Sequence, residues 1–443
     1  MIDIKILREN PEIVKKSIIN KGIKNFDFEN LVSLDKEKIS LLKEVEDLRN
    51  RRNLISDEIA KVSADDRAKL VPQATELKEK LKNLEEKYVL VENSFNELFL
   101  QVPNILSDNM PVGFSEDENK ILRAWSKKTG IVENPSLEDV SFVDKKEIAY
   151  LDHLELGKKH DMIDVEKSAE VSGSRFCYLK NEAVLLQDAI SFLIKKKLQL
   201  KGFMPIAPPI LVKEKALYGT SHFPEGKDQV YKIESNNIEE GQDLYLVGSS
   251  EPTNFAYYSN STFEEKELPK KFYAQTPCFR SEVGSWGRDV RGIKRVHQFD
   301  KLEMNSIATP ETADSVFNEF LEINEWLLQS LELPYRVVIK CTGDSGYNAT
   351  HFQYDLEVYR NATNEWMEVM TNTNTTDFQS RRLNIKYKTS EGARFAYTLN
   401  DTGVAFGRII LALIEHHQDA QGNILIPEVL RDYLGREKIG IIN

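Results

Sequence analysis

Two runs of hydrophobic residues at intervals of seven stand out in the first hundred residues. The first run consists of Leu34, Leu41, Leu48, Ile55 and Val62, with Val45 and Ile59 as a second line. The second run consists of Leu70, Leu77, Leu84, Val91 and Leu98, with Leu81, Tyr88, Phe95 and Val102 as its second line. This spacing predicts two long helices in a coiled coil. The polar break from Ser63 to Asp66 predicts an antiparallel hairpin over about residues 30–102. Helices of ~30 residues would give an arm on the order of 45 Å long.

Such an arm buries little apolar surface of its own, and two interpretations of its purpose remain open. One is a coiled coil that serves as a spacer or a dimerisation element. The other is binding of nucleic acid, because Arg49, Arg51 and Arg52 lie toward the far half of the first helix and are candidate phosphate contacts.

The hydrophobic pattern changes after Val102-Pro103, where the second helix is expected to end. The stretch that follows, with Pro103, Pro111 and several acidic residues, predicts a linker to about residue 130. From about residue 139, strand-like runs such as Tyr245 to Val247 alternate with helical patterns such as Glu182 to Leu200. The chain is therefore predicted to belong to the α+β class.

Composition and charge narrow the class of protein. The 443 residues suffice for two domains, which are predicted at 1–108 and 109–443 with a linker at about 103–130. No apolar run approaches the ~20 residues of a membrane span. The three cysteines are widely spaced and odd in number, so no disulfide framework is expected and a reducing cytoplasm is favoured. The net charge of −12 argues against a basic coat for nucleic acid, but phosphate contacts need only a local basic cluster.

The stretch from Cys278 to Met304 combines arginines and carboxylates around a glycine-containing turn. Among its charged residues are Arg280, Glu282, Arg288, Arg291, Arg295 and Glu303. Alternation of polar and apolar residues on both sides predicts two antiparallel strands joined by a long loop. Guanidinium groups at this density suit a site that holds several phosphate oxygens and a carboxylate together. The alternative is a solvated charged hairpin, which fits the interspersed glycines and aromatic residue less well.

The runs FRSE, GSWGRD and RVHQFDKLE in this stretch resemble motif 2 of class II aminoacyl-tRNA synthetases, in the form found in bacterial-type seryl-tRNA synthetases. The run GFMPIAPPILVKEKALYGT resembles their motif 1, and LNDTGVAFGRIILALIEHHQ resembles their motif 3. The resemblance covers essentially the whole chain, from MIDIKILRENPEIVKKSI to IPEVLRDYLG. It implies an N-terminal tRNA-binding domain with an antiparallel two-helix coiled-coil arm. A class II catalytic domain built on an antiparallel β-sheet flanked by helices would follow.

The resemblance implies an ATP site formed by Arg280, Glu282, Arg295, Val296, Phe299, Glu368, Thr371 and Arg408. Within it, Arg280 would hold the α-phosphate and the amino-acid carboxylate, and Arg408 the γ-phosphate. Glu368 and Thr371 would bind the Mg²⁺ that bridges the phosphates, since hard oxygen ligands suit that ion. Arg280, Glu368 and Arg408 are the implied catalytic residues. Phe299 would stack on the adenine, although a strand phenylalanine outside such a motif is usually a core residue.

The resemblance also implies a serine site formed by Ser249, Glu251, Arg280, Glu303, Asn400 and Thr402. Ser249 and Glu251 would hold the ammonium group, and Glu303 and Thr402 the substrate hydroxyl. Such a pocket can reject alanine by roughly 10⁴-fold, because the missing hydroxyl leaves buried polar groups unpaired.

Three residues depart from the family pattern. Ser249 stands where threonine is common, so it keeps the hydroxyl but loses the β-branch that stiffens the side chain. Met370 and Asn372, in the run EVMTNTN, are bulkier than the usual residues. These two put the tightness of the pocket and the geometry of the metal site in question.

The function implied by the resemblance is activation of L-serine with ATP to seryl-adenylate and transfer of serine to the 3′ end of tRNA(Ser), with tRNA(Sec) as a further acceptor. The protein would be a cytoplasmic homodimer whose arm reaches across the dimer to the long variable arm of the tRNA. Mg²⁺ is expected, whereas zinc, DNA and a membrane are not. One alternative is a related enzyme that activates another small amino acid or charges another carrier. The other is a non-catalytic RNA-binding paralogue, which the joint presence of Arg280, Arg295 and Arg408 disfavours.

Overall fold

The computed structural model describes residues 1–234, 243–283 and 292–440. The chain divides into two compact units. The helical unit comprises residues 3–19 and 23–102, and the sheet unit comprises residues 1–2, 20–22 and 103–443.

The helical unit is dominated by a long helical hairpin. Its helices are α1 (Ile4–Glu9), α2 (Pro11–Asn20), α3 (Phe28–Lys61) and α4 (Ala64–Phe99). Helix α3 begins after Asp27, whose carboxylate accepts a hydrogen bond from the backbone N–H of Asn30 at 3.0 Å and so caps the helix. Ion pairs join α3 to α4 at Lys87–Glu37 (2.9 Å) and Arg49–Glu85 (2.7 Å).

The heptad positions form the seam between α3 and α4, which confirms the predicted coiled-coil arm. Among those on the two helices, Leu41, Val45, Leu81 and Phe95 are each at most 5% exposed. Two boundaries differ from the prediction. The connection consists only of Val62 and Ser63, because α4 begins inside the predicted polar break. Helix α4 ends at Phe99, before Val102-Pro103, since a proline disfavours helical backbone in the residue before it.

The sheet unit is built around a large twisted sheet. The strands in chain order are β1 (Lys120–Ser126), β2 (Gly130–Glu133), β3 (Ile163–Asp164), β4 (Tyr178–Leu179), β5 (Met204–Pro205), β6 (Leu211–Lys213), β7 (Lys232–Ile233), β8 (Leu244–Leu246), β9 (Thr262–Glu264), β10 (Lys270–Phe279), β11 (Gln298–Ala308), β12 (Tyr335–Ile339), β13 (Phe352–Arg360), β14 (Glu365–Asn374), β15 (Lys386–Thr389), β16 (Gly392–Phe395), β17 (Tyr397–Ala405), β18 (Ile424–Leu425) and β19 (Lys438–Ile439). Nine of them form the main sheet in the order β2-β1-β12-β13-β14-β17-β11-β10-β5. Its neighbours are antiparallel except for β10 and β5.

Helices surround this sheet. They are α5 (His153–Lys159), α6 (Val165–Ser172), α7 (Glu182–Leu200), α8 (Glu214–Gly219), α9 (Glu251–Ala256), α10 (Pro310–Ser330), α11 (Phe378–Leu383), α12 (Phe406–His416) and α13 (Glu428–Leu434). Helix α7 has the predicted bounds, and β10 and β11 are the two antiparallel strands predicted around the arginine-rich turn. No helix in the described parts of the chain combines the length and apolar character needed to cross a membrane.

The stretch predicted as a linker at about 103–130 is a linker only in its first part. Residues Lys120–Ser126 form β1, which pairs with β12 and β2 inside the main sheet. Ile121, Ala124 and Ser126 of β1 are buried, and the register shift between Ile121 and Arg123 interrupts the regular alternation of the strand. This short strand was not predicted, because the prolines and acidic residues before it are typical of a linker.

The hydrophobic core lies on one face of the main sheet, under α7, α10 and α12. Fully buried residues from these helices, such as Ile190, Phe320 and Ile410, join Leu302 and Met304 of β11 in one cluster. Because successive strand residues point to opposite faces, the residues between the core positions face the other side of the sheet. That second face carries the polar groups of the candidate site.

Candidate active site

A cavity of about 350 Å³ opens on the polar face of the main sheet. It brings together all the predicted ligand-site residues of the sheet unit: Ser249, Glu251, Arg280, Glu282, Arg295, Val296, Phe299, Glu303, Glu368, Thr371, Asn400, Thr402 and Arg408. Arg288 and Arg291 of the same arginine-rich stretch lie outside the described residues. The cavity therefore unites residues that are up to 159 positions apart in the chain (Ser249 and Arg408).

A β-bulge in β14 places the predicted metal ligands on one face. The register of β13 against β14 shifts so that Val369 is an extra residue in β14. In a regular strand, Glu368 and Thr371 would point to opposite faces, because they are three positions apart. With the bulge, both side chains line the cavity.

A second bulge lies in β17, where Gly403 is the extra residue opposite β11. It allows Thr402 and Ala405, three positions apart, to line the same cavity. A Cβ atom at position 403 would lie 2.9 Å from Leu302 Cδ2, closer than side chains normally approach. Glycine is therefore required here by the close packing of the two strands.

One end of the cavity is lined by arginines. The Arg280 side chain donates from Nε to the carbonyl of Gly248 at 3.3 Å, and its guanidinium carbon lies 5.4 Å from the centroid of the Phe299 ring. Arg295 Nη1 lies 3.9 Å from a carboxylate oxygen of Glu282. Glu282 has a φ of +50°, a left-handed conformation that non-glycine residues rarely adopt and that is often found at functional sites.

Arg408 lies at the same end of the cavity and contacts Glu368. Its Nη1 donates to both the backbone carbonyl and the carboxylate of Glu368, each at 2.9 Å. Burial alone would raise the pKa of Glu368, but Arg408, Lys340 and Arg280 outweigh it and lower that pKa. Glu368 is therefore a carboxylate at neutral pH, as a metal ligand must be.

The opposite end of the cavity holds Glu251, the first residue of α9. Its Oε1 accepts hydrogen bonds from the side-chain amides of Gln379 (2.7 Å) and Asn400 (3.1 Å). Burial and the neighbouring carboxylate of Glu303 raise the pKa of Glu251 to about 8. This carboxyl group is consequently poised to ionise when a cation comes next to it.

His222 stands beside Glu251 as a neutral side chain. Burial lowers the pKa of His222 to about 3. The Thr220 hydroxyl donates to the carbonyl of Ala216 at 3.1 Å, so at 2.9 Å it accepts from His222 Nδ1. The unprotonated Nε2 then lies 3.9 Å from Glu251 Oε2. This tautomer presents a lone pair, and no positive charge, to the carboxyl group.

Met370 and Asn372, the two bulky departures from the family pattern, point away from the cavity. Met370 is fully buried in the main hydrophobic core. Asn372 is also fully buried, and its side-chain amide donates to the carbonyl of Phe317 in α10 at 2.8 Å. Neither residue lines the cavity, whereas Thr371 and Thr373 do. The doubt that these departures cast on the pocket is thereby removed.

The cavity also holds polar residues that sequence reasoning had not singled out, among them His222, Lys301, Lys340, Tyr347 and Asp355. Lys301 could have been found, since it lies two positions from Glu303 on a predicted strand and so shares its face. Lys340 forms ion pairs with Asp344 and, at 3.4 Å, with Asp355. Burial and the nearby Glu368 raise the pKa of Asp355 to about 7. Lys340 and Asp355 belong to no motif, and only the pairing of the strands brings them to the cavity.

The predicted tRNA-binding arginines lie on α3 of the helical unit. All three side chains are exposed. Arg49 is held by Glu85 through its Nε (2.9 Å) and Nη2 (2.7 Å). Arg51 lines a shallow groove between α3 and α4, and Arg52 donates to the side chain of Asn53 at 3.1 Å. Their role in binding tRNA remains a prediction.

Two family descriptions match the chain. Residues 1–106 match "Seryl-tRNA synthetase N-terminal domain", and residues 231–417 match "tRNA synthetase class II core domain (G, H, P, S and T)". The first match covers the helical unit, and the second covers part of the sheet unit.

Similar proteins extend over the whole chain. Proteins named "Serine--tRNA ligase" from Dictyoglomus turgidum and Petrotoga mobilis are each 37% identical to it, over 99% of this chain and 99% and 100% of theirs. A crystal structure of seryl-tRNA synthetase from Pyrococcus horikoshii complexed with ATP is similar with a TM-score of 0.88 and 33% identity, covering 100% of both chains. A cytoplasmic serine-tRNA ligase from Naegleria fowleri in complex with AMP has a TM-score of 0.83 and 29% identity, covering 100% of this chain and 99% of that one.

Proposed function

The chain belongs to the serine--tRNA ligase family, and we propose from this premise how its residues divide the work of joining serine to tRNA. The observation that carries the proposal is the polarity of the cavity. Arginines and Glu368 line one end, and the buried carboxyl groups of Glu251 and Glu303 line the other. A nucleotide triphosphate suits the first end, and an amino acid with an ammonium and a hydroxyl group suits the second.

In the activation step, the serine carboxylate attacks the α-phosphorus of ATP in line, and pyrophosphate leaves. Arg280 would contact both the carboxylate and the α-phosphate, because it lies between Gly248 at the amino-acid end and Phe299 at the nucleotide end. A guanidinium group there aligns the reactants and neutralises the charge that grows on the phosphoryl oxygens. No general base is needed, since the nucleophile is already an anion.

The adenine of the nucleotide is proposed to stack on the Phe299 ring, and the amino group of the adenine would contact Glu282. Val296, next to Phe299 in the cavity wall, would contact the adenine as well. Arg295 and Arg408 would hold the outer phosphates. Arg408 contacts Glu368 in this structure, so its guanidinium would exchange that partner for the γ-phosphate when ATP enters.

The donor set at Glu368 fits Mg²⁺. Glu368 offers a carboxylate that stays ionised, and Thr371 offers a hydroxyl from the same face of β14. Among the described residues, no three Asp, Glu, His or Cys side chains are grouped closely enough to hold a metal by themselves. Mg²⁺ commonly takes its remaining ligands from substrate phosphates and water, and it would supply neutralisation of the phosphate charge here. Once Arg408 has moved to the γ-phosphate, Lys340 would keep the Glu368 carboxylate ionised.

The amino-acid end is proposed to hold serine by its three polar groups. The ammonium group would lie against Ser249 and Glu251, and the hydroxyl group against Glu303 and Thr402. Asn400 donates to Glu251 at 3.1 Å and so fixes the orientation of that carboxyl group. Glu251 would lose its proton as the ammonium group enters, since an adjacent positive charge favours the ionised form.

In the transfer step, the terminal ribose hydroxyl of tRNA takes the seryl group and AMP leaves. The acceptor is proposed to be tRNA(Ser), with tRNA(Sec) as a further candidate. We assign recognition of the tRNA to residues 1–108 and catalysis to residues 109–443. Arg49, Arg51 and Arg52 would contact tRNA phosphates, and the protein would act as a cytoplasmic homodimer.

The proposal is tested by amino-acid-dependent exchange of pyrophosphate into ATP, with serine, threonine, alanine, glycine and cysteine compared. We expect serine to dominate and the purified protein then to charge tRNA(Ser). Exchange dominated by another amino acid would contradict the proposed pocket. An absence of exchange with every amino acid, in a folded protein, would contradict the whole assignment.

A further inference from the structure

The amino-acid end of the cavity contains a buried lysine for which the proposed function gives no role. Lys301 lies on β11, two residues before Glu303, and its side chain is only 6% exposed. Its ammonium group lies 2.5 Å from Glu303 Oε2 and donates to Ser249 Oγ at 3.0 Å. The lysine thus joins two of the proposed serine-binding residues to each other.

The ion pair occupies one of the two carboxylate oxygens of Glu303 and leaves the other to contact a ligand. Lys301 engages Oε2, so Oε1 is the oxygen that remains to accept a hydrogen bond from a substrate hydroxyl. The pair also compensates a carboxylate that is itself only 3% exposed. Without a partner, a buried carboxylate would take up a proton or draw in water, and it would then no longer act as a fixed acceptor.

Lys301 also fixes the Ser249 hydroxyl. Ser249 Oγ accepts from Lys301 Nζ at 3.0 Å and from the backbone N–H of Glu251 at 3.3 Å. A hydroxyl oxygen has two acceptor positions, and both are engaged before serine binds, so the incoming ammonium group would take the place of the longer contact from the Glu251 N–H. A threonine at this position would be held by its β-branch, which serine lacks. In this chain the two hydrogen bonds supply the rigidity that the missing methyl group would have given.

We propose that Lys301 is a positioning residue of the amino-acid subsite, which aims Glu303 Oε1 at the substrate hydroxyl and holds the Ser249 hydroxyl in place. Lys301 thereby sets the discrimination of serine against alanine. The inference rests on the proposed function of the cavity. Lys301 acts through Glu303 and Ser249, and the ATP end of the cavity does not depend on it.

The test is Lys301→Met in serine- and alanine-dependent pyrophosphate exchange. We expect the KM for serine to rise about tenfold or more, since hydrogen bonds to charged groups of this kind are lost. We expect the ratio of kcat/KM for serine over alanine to fall by about tenfold or more, because the acceptor for the hydroxyl is no longer fixed. The KM for ATP should stay within about twofold, which a general loss of structure would not permit.

The matched control is Lys271→Met. Lys271 lies on the neighbouring strand β10, its side chain is 18% exposed, and it forms a 2.7 Å ion pair with Glu319 away from the cavity lining. Its loss removes a comparable lysine–glutamate pair from the same sheet. We expect a similar decrease in thermal stability and an unchanged ratio for serine over alanine.

A second variant separates positioning from folding. The substitution Ser249→Thr is introduced into the Lys301→Met protein. Combined with Lys301→Met, it should recover part of the lost affinity, because the β-branch stiffens the side chain. If Lys301→Met alone does not fold, Lys301→Gln, which keeps a donor and loses the charge, is compared with Lys301→Met/Ser249→Thr in the same assays.

Three outcomes distinguish the proposals. A serine KM and a serine-over-alanine ratio that stay within about twofold in the Lys301 variants would overturn the role of Lys301 and leave the proposed function standing. Equal losses for serine and ATP would assign Lys301 a structural role only and likewise overturn it. Absence of serine-dependent exchange in the unaltered protein would overturn the proposed function, and the inference with it.

Discussion

The helical arm and the active-site cavity use charged residues in opposite ways. On the arm, most charged side chains are exposed, and pairs such as Arg49–Glu85 have relative exposures of 51% and 39%. In the cavity, Lys301 and Glu303 are paired at exposures of 6% and 3%. Exposed pairs contribute little to stability, whereas a buried charge that loses its partner is costly. Charges on the arm can therefore change independently of one another, while those in the cavity act as a coupled set.

This difference predicts where substitutions should separate the two half-reactions. Changes in the cavity should affect amino-acid activation, which does not require tRNA. Changes at exposed arginines of the arm should affect charging of tRNA and leave activation intact.

Arg280→Ala should reduce serine-dependent pyrophosphate exchange by at least about 10³-fold, because charge neutralisation at the α-phosphate is lost. The measurement is exchange at saturating serine and ATP. Arg394→Ala provides a control, since Arg394 is exposed on β16 and pairs with Glu391. A near-normal rate for the Arg280 variant would remove the central residue of the proposed site.

Glu368→Gln should lower the exchange rate by about 10²-fold and raise the Mg²⁺ concentration needed for half-maximal exchange. The amide keeps the size of the side chain but removes the charge that Arg408 and Lys340 stabilise. A Mg²⁺ titration of both proteins measures the shift. An unchanged Mg²⁺ requirement would separate Glu368 from the metal.

Combined Arg51→Ala and Arg52→Ala should raise the KM for tRNA by about tenfold while pyrophosphate exchange stays unchanged, because phosphate contacts are lost from the arm only. Arg49→Ala should have a smaller effect, since Arg49 already contacts Glu85. Aminoacylation at several salt concentrations checks both. A parallel loss of exchange would show that the arm and the cavity are not separable.

The affinity for serine should depend on pH through Glu251. The pKa of Glu251 is raised to about 8, so below that pH the group is mostly protonated and cannot pair with the substrate ammonium. The KM for serine should therefore rise as the pH falls from 8 to 7, by at most about tenfold for one proton. The KM of a Glu251→Gln variant should be higher and should not follow this profile. An identical profile in both proteins would assign the titration to another group.

Met370→Ser and Asn372→Cys should have the smallest effect on activity. Both residues are fully buried away from the cavity. Met370→Ser should lower the free energy of unfolding by about 2–5 kcal/mol through a cavity in the core. The KM for serine should stay within about twofold in the folded protein. A change in the preferred amino acid would reinstate the alternative of a different small substrate.

Much of the molecule could be predicted from the sequence because its signals are local or periodic. The seven-residue spacing that includes Leu41 and Leu81 predicted the arm. The hydrophobic pattern over Glu182–Leu200 predicted a helix with the same bounds as α7. The resemblance of FRSE and its neighbours pointed to residues that the structure brings into one cavity. The strand β1 escaped detection, because a short strand among prolines and acidic residues has no period to reveal it.

The fold class, the arm and the residue types of the site can be read from the sequence, since helical periodicity and motif spacing are properties of the chain. The directions in which the side chains point depend on the tertiary structure. The bulges at Val369 and Gly403 turn Glu368 and Thr402 toward the cavity, and they arise from strand pairings between distant segments. The same pairings bury Lys301 beside Glu303. The electrostatics of the site follow from that burial, which no local pattern in the chain encodes.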